Sequence, residues 1–107
     1  MDYTTVIASK PGVPAPKIDK RTADSKIFLI DCLPLLCTNE IIFGEVLNDT
    51  TPLEISDVKT SQGKYIKFRV SGGPNDVPYA DYLINFSVNT TMTNRLTVPV
   101  SVRVYSN

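Results

Sequence analysis

The residues best suited to acid–base or metal chemistry are carboxylates: Asp31, Glu40, Glu45, Asp49, Glu54, Asp57, Asp76 and Asp81. Their spacing forces no two of them together, as a pair acting across a glycosidic bond would require. Asp49, Glu54 and Asp57 could gather at one end of a β structure around a calcium ion. The Asp-rich ligand loop that such sites use is absent, so solvated loop charges are the expectation. The chain has no histidine, which removes Ser-His-Asp and Cys-His nucleophiles, the usual zinc sites and the commonest general base near neutral pH. The expectation is a protein that is not an enzyme, with no catalytic residue, no metal and no cofactor.

Two further motifs invite a chemical reading. Cys32 and Cys37 enclose Leu33-Pro34-Leu35-Leu36; metal sites use closer pairs with further ligands elsewhere. A local disulfide and a redox pair are the alternatives, and reduced, mostly buried thiols among leucines are the expectation. Ser71-Gly72-Gly73 could form an anion nest, but no helix follows it, and glycines serving left-handed backbone geometry in a turn explain it better. Sequons at Asn48, Asn85 and Asn89 read as coincidences of an Asn- and Thr-rich β surface.

The elements that would carry these residues are strands. Ile66, Phe68 and Val70 alternate with polar neighbours, as do Tyr82, Ile84, Phe86 and Val88, and then Leu96, Val98, Val100, Val102 and Val104. A period of two places one set on a buried face. Strands are also predicted at Ile27–Asp31, Ile41–Leu47, with Gly44 as a bulge, and Leu53–Val58, where the alternation breaks at Asp57-Val58. One helical turn could lie within Leu35–Thr38. Six or seven short strands with turns every 8–12 residues predict an all-β antiparallel sandwich over 26–107. Its core would be Ile66, Phe68, Val70, Tyr82, Ile84, Phe86, Val88, Val98, Val100 and Val102.

Residues 1–25 read differently. Pro11, Pro14 and Pro16 fall within a mixed-charge stretch, and proline removes donors and favours extended backbone. The segment is expected to be an extended N-terminal arm, with a disordered tail as the alternative. As an arm it would use Val6, Ile7, Val13 and Ile18 to bind a neighbouring subunit. Pro99 interrupts an otherwise regular strand, so that strand should be at an edge there or bulged, and an open edge invites another chain.

The 107 residues suit one domain, and 11 basic residues balance 11 acidic ones. A balanced charge argues against nucleic acid as a partner. No apolar run approaches the roughly 20 residues that cross a bilayer, so no membrane is expected. The start Met1-Asp2-Tyr3 lacks the basic opening and long apolar core of a signal peptide, which suggests a chain made in a reducing cytoplasm.

From Asp24 to Val104 the chain resembles a family of small immunoglobulin-like bacteriophage structural proteins. The residues that carry the resemblance are Ile27 to Asp31, then Leu33 to Ile41; Tyr65 to Val70 running into Ser71-Gly72-Gly73; Tyr82 to Thr91; and Leu96 to Val104. Cys32-Leu33 stands where these proteins often carry tryptophan, and Thr93-Asn94-Arg95 where they often carry glycine. The resemblance implies an immunoglobulin-like β-sandwich and a virion component of the neck, tail or fibre region, assembled in the host cytoplasm. It also implies other virion proteins as partners, oligomers in the particle and no catalytic residues. The alternative is a carbohydrate-binding or adhesion module on a cell surface, which an aromatic platform would favour.

Overall fold

Alternating residues become paired strands in the computed structural model, which describes residues 4–10, 12–49 and 51–106. Pro11 of the expected arm and Thr50, the third residue of the Asn48 sequon, lie outside the described residues, as do 1–3 and 107. Among the described residues eight strands run in chain order: β1 (Thr4–Ile7), β2 (Lys17–Arg21), β3 (Lys26–Asp31), β4 (Ile42–Asn48), β5 (Glu54–Ser61), β6 (Tyr65–Ser71), β7 (Tyr79–Thr90) and β8 (Arg95–Tyr105). One 3₁₀ turn, Leu33–Leu35, joins β3 to β4. It contains Pro34 rather than following it, because proline needs no donor in a first turn.

The strands form two four-stranded sheets, β1-β3-β6-β5 and β2-β8-β7-β4. Phe28 and Phe68 come from the first sheet and Phe86 from the second. The Phe68 and Phe86 rings lie 4.6 Å apart and those of Phe28 and Phe68 5.7 Å, so the sheets close face to face over an aromatic centre. Nine of the ten predicted core residues are buried: Ile66, Phe68, Val70, Ile84, Phe86, Val88, Val98, Val100 and Val102. Tyr82 is partly buried against them. Phe28, Ile30, Cys32 and Val104 complete the same cluster.

Two expectations are corrected. The sheets are mixed rather than wholly antiparallel: β1 runs parallel to β3, and β2 parallel to β8. Both parallel pairings come from residues 1–25, which were expected to form an arm. In the described part of that segment, Ile18 is 3% exposed and Ala8 is likewise buried. The alternation Ile18, Lys20 is too short to read as a strand in the sequence, yet the edge of β8 supplies its partner at Ser101–Tyr105. Pro14 and Pro16 then lie in the crossover from one sheet to the other, between β1 and β2.

Two bulges appear where the alternation fails. β4 loses register with β7 between Phe43 and Leu47, with Gly44 at φ +78°. β5 loses register with β6 between Ser56 and Lys59, with Asp57 at φ +55°. Asp is among the few non-glycine residues that tolerate this conformation.

Candidate functional site

The carboxylates are engaged one at a time. Asp49 accepts hydrogen bonds from the Asn85 backbone N–H (3.0 Å) and its side-chain Nδ2 (2.9 Å), which hold its pKa below the usual carboxylate value. Asp81 receives two bonds from the Arg103 guanidinium, at 2.8 and 3.0 Å, and its pKa is lowered by them. Asp57 lies 3.5 Å from Arg69 on the outer face of the other sheet. Asp49, Glu54 and Asp57 therefore do not converge. Among the described residues no group of three potential ligands could hold a metal ion.

Glu40 is the carboxylate whose burial the sequence did not signal: it is 5% exposed. Its oxygens accept from the Cys37 backbone N–H (2.8 Å), the Thr90 hydroxyl and the Asn94 side chain (3.3 Å). The Thr90 hydroxyl is the largest cause of a lowered Glu40 pKa, followed by the Cys37 N–H. Thr90 Oγ1 in turn accepts from the backbone of Met92 and Asn94. The carboxylate thus ties the β3–β4 loop to the β7–β8 turn.

Both cysteines are free thiols. Cys32 is buried, and desolvation followed by the nearby Asp31 charge pushes its pKa up to about 12, far from a reactive thiolate. Cys37 is exposed, which corrects the expectation that both are mostly buried: the 3₁₀ turn carries it past the core.

The Ser71-Gly72-Gly73 motif has a structural use. Lys20, 2% exposed on β2, donates from Nζ to the carbonyls of Gly72 (2.6 Å) and Arg21 (2.7 Å). Burial lowers its pKa, partly opposed by Asp24. Thr22 Oγ1 donates to the Pro74 carbonyl at 2.6 Å. Gly73, at φ +145°, has no room for a side chain: a Cβ there would stand 2.3 Å from Val104 Cγ1 and 2.8 Å from Thr22 Oγ1. The glycines admit the loop against β2 and β8, and Lys20 locks it.

The five residues expected to bind partners separate into three groups. Ile18 is buried and Val6 is partly buried against the core, so both serve the fold. Ile7 and Val13 are 64% and 58% exposed and remain available. Pro99 sits on β8 opposite Asn85 without a register break. β2 pairs with β8 only from Ser101 onward, where the Ser101 N–H reaches the Pro16 carbonyl. Alternate strand residues direct their N–H groups to the same side, so the donor that Pro99 lacks would point to this unpaired stretch. Among the described residues the strand is therefore at an edge there, rather than bulged, and the proline blunts that edge. Beside it a shallow groove is lined by Ser9, Lys10, Pro34, Leu35, Leu96 and Pro99.

Compared with known proteins, the chain matches no protein-family model, no curated protein and no solved structure.

Proposed function

We propose that this chain is a non-enzymatic structural protein of a phage virion, in the neck, tail or fibre region, where it joins subunits by surface contact. The strand orders support an immunoglobulin-like sandwich: β3, β6 and β5, and β4, β7 and β8, follow the antiparallel order of constant-type immunoglobulin sheets, and β1 and β2 each add a parallel edge strand. In this reading the N-terminal segment is split, β1 on one sheet and β2 on the other. The observation that carries the assembly role is the exposure of Ile7 and Val13 on a segment otherwise anchored to both sheets. Rigid backbone that presents bare aliphatic side chains gives a partner area to bury at little ordering cost.

Mass spectrometry of purified virions tests the reading, because a structural component appears at a fixed copy number. An Ile7→Asp/Val13→Asp variant should stay folded and be depleted from particles. Its unchanged incorporation would remove these residues from the contact, and absence of the protein from particles would remove the virion role.

One observation favours carbohydrate binding as a second reading. Tyr79 and Tyr105 pair across β7 and β8 with ring centroids 6.1 Å apart, beside Asp19, Asp81 and Ser101. The Arg103 guanidinium lies 4.4 Å over the Tyr79 ring and covers one stacking face. A glycan that binds the native chain and is lost with Tyr105→Ala would favour this reading.

A further inference from the structure

The fold protects its strand edges unequally. β4 and β5, which approach each other on one flank, each carry a bulge, with Gly44 and Asp57 at positive φ. β2 leaves Lys17, Asp19 and Arg21 exposed, and the open stretch of β8 carries Pro99. Bulges, charges and proline are the devices that keep an edge from pairing with another chain. β1 has none of them. Thr4-Thr5-Val6-Ile7 is uncharged and wholly β-branched, a composition that favours pairing in sheets. Its short length is its one protection.

β1 closes the order β1-β3-β6-β5, so among the described residues no strand lies along its outer side. The Ala8 N–H donates to the Asp31 carbonyl at 2.9 Å, and alternate residues send their N–H groups to the same side of a strand. Thr4 and Val6 therefore bond towards β3, while the N–H and C=O groups of Thr5 and Ile7 face outward. The side chains of those two lie on the outer face of the sheet, since Val6 between them packs against the core. Ile7 is 64% exposed, more than any other large apolar side chain among the described residues. Open backbone and bare side chain thus coincide on one strand.

We propose that β1 pairs antiparallel with β1 of a second copy, about a two-fold axis through Val6, joining two four-stranded sheets into one. The strand is its own complement. Thr5 exchanges both hydrogen bonds with Ile7 of the second copy, and Ile7 does the same with the second Thr5. Each exposed Ile7 then lies against a threonine rather than water. No like charges meet, whereas β2 paired this way about Asp19 would set Lys17 against Arg21. β1 carries no charge that would select a foreign sequence, and in an assembly of repeated subunits the edge each copy meets most often is its own. The inference rests on the assembly reading for that step and deepens it by naming the partner. The contact is isologous, so it closes at two copies and leaves larger assembly to other surfaces. A contact this short is weak.

Sedimentation velocity from about 10 μM to about 1 mM tests it, with circular dichroism confirming the fold of each protein. The native chain should pass from monomer to dimer and no further, with little response to salt, because no ion pair is involved. Thr5→Pro removes an outward donor and no bond to β3, so it should keep the fold and raise the dissociation constant at least about tenfold. Should the proline detach β1, Ile7→Lys replaces it by charging the outer face. Val6→Cys/Cys37→Ser should oxidise to a linked dimer faster than Val13→Cys/Cys37→Ser, since the two Val6 positions face each other across the axis. A native chain that stays monomeric throughout overturns the proposal, and leaves the edge to a different protein. So does a folded Ile7→Lys variant that dimerises like the native chain, or faster linking through residue 13. Failure here leaves the virion reading standing, since that reading is decided by the particle's composition.

Discussion

A buried charge seals each end of the sandwich, and the two behave differently. Glu40 is surrounded by donors, the Cys37 N–H, the Thr90 hydroxyl and the Asn94 amide; these favour the anion more than burial penalises it, and the pKa falls. Lys20 has two carbonyls, and desolvation outweighs the nearby Asp24, so its cation is disfavoured. Among the described residues neither charge has a counter-ion in ion-pair contact. The contrast teaches that hydrogen-bond donors aimed at an anion can more than cover its desolvation, whereas two carbonyls do less for an ammonium.

The largest perturbation attacks the Lys20 end through its glycine. Gly73→Ala should cost about 3 kcal/mol, from overpacking against Val104 and Thr22 together with backbone strain. Chemical denaturation measures it, and a loss under ~1 kcal/mol would mean the loop shifts freely, which contradicts the lock. Lys20→Ala should cost less, about 1–3 kcal/mol, by leaving the Gly72 carbonyl without its donor. A stability unchanged from the native chain would show that the ammonium gives back in desolvation all that its bonds supply.

Glu40→Gln probes the other end through pH. The native Glu40 pKa lies below its unfolded value of 4.5, so the folded state holds fewer protons in that interval. Its contribution is fully present above about pH 4.5 and is lost as pH falls through the folded value. Melting temperatures between neutral and acid pH should fall less steeply in the variant, with Asp49 and Asp81 sustaining the remaining slope because their pKa values are lowered too. Lys20 gives a slope of the same sign in a different range: burial of its cation penalises the fold near neutral pH, and the penalty is relieved as pH climbs towards 10.5, because the folded state releases the proton first. Equal acid slopes in Glu40→Gln and the native chain would remove Glu40 from the acid response. The smallest effect is expected at Cys37→Ser, within ±0.5 kcal/mol for an exposed position, whereas Cys32→Ser puts a hydroxyl where the thiol is fully buried. A large loss on changing Cys37 would place it in the core.

The central strands were legible because period-two alternation is a local signal with one cause, a buried face. Phe68, Phe86 and Val100 could be assigned from their neighbours alone, and so could the bulge at Gly44; at Asp57 the sequence showed only that the period fails. β2 was not legible. Lys17-Ile18-Asp19-Lys20-Arg21 contains one apolar residue, and its inward lysine is intelligible only once the Gly72 carbonyl, far along the chain, is beside it. The Glu40 seal was hidden for the same reason, since Thr90 and Asn94 are partners across the fold. Each looks ordinary in its own stretch of sequence.

The pairing of β2 with β8 has a kinetic meaning. Lys17 meets Ser101 and Arg21 meets Tyr105, so the second strand of the fold has its ladder partner in the eighth. Loop closure over that separation costs entropy before any contact repays it. The local antiparallel pairs β5–β6 and β7–β8 should therefore organise early, leaving β2 to dock late along the β8 edge. Until it docks, the slot above Gly73 stands open, and the last step of folding is the arrival of an early-made segment.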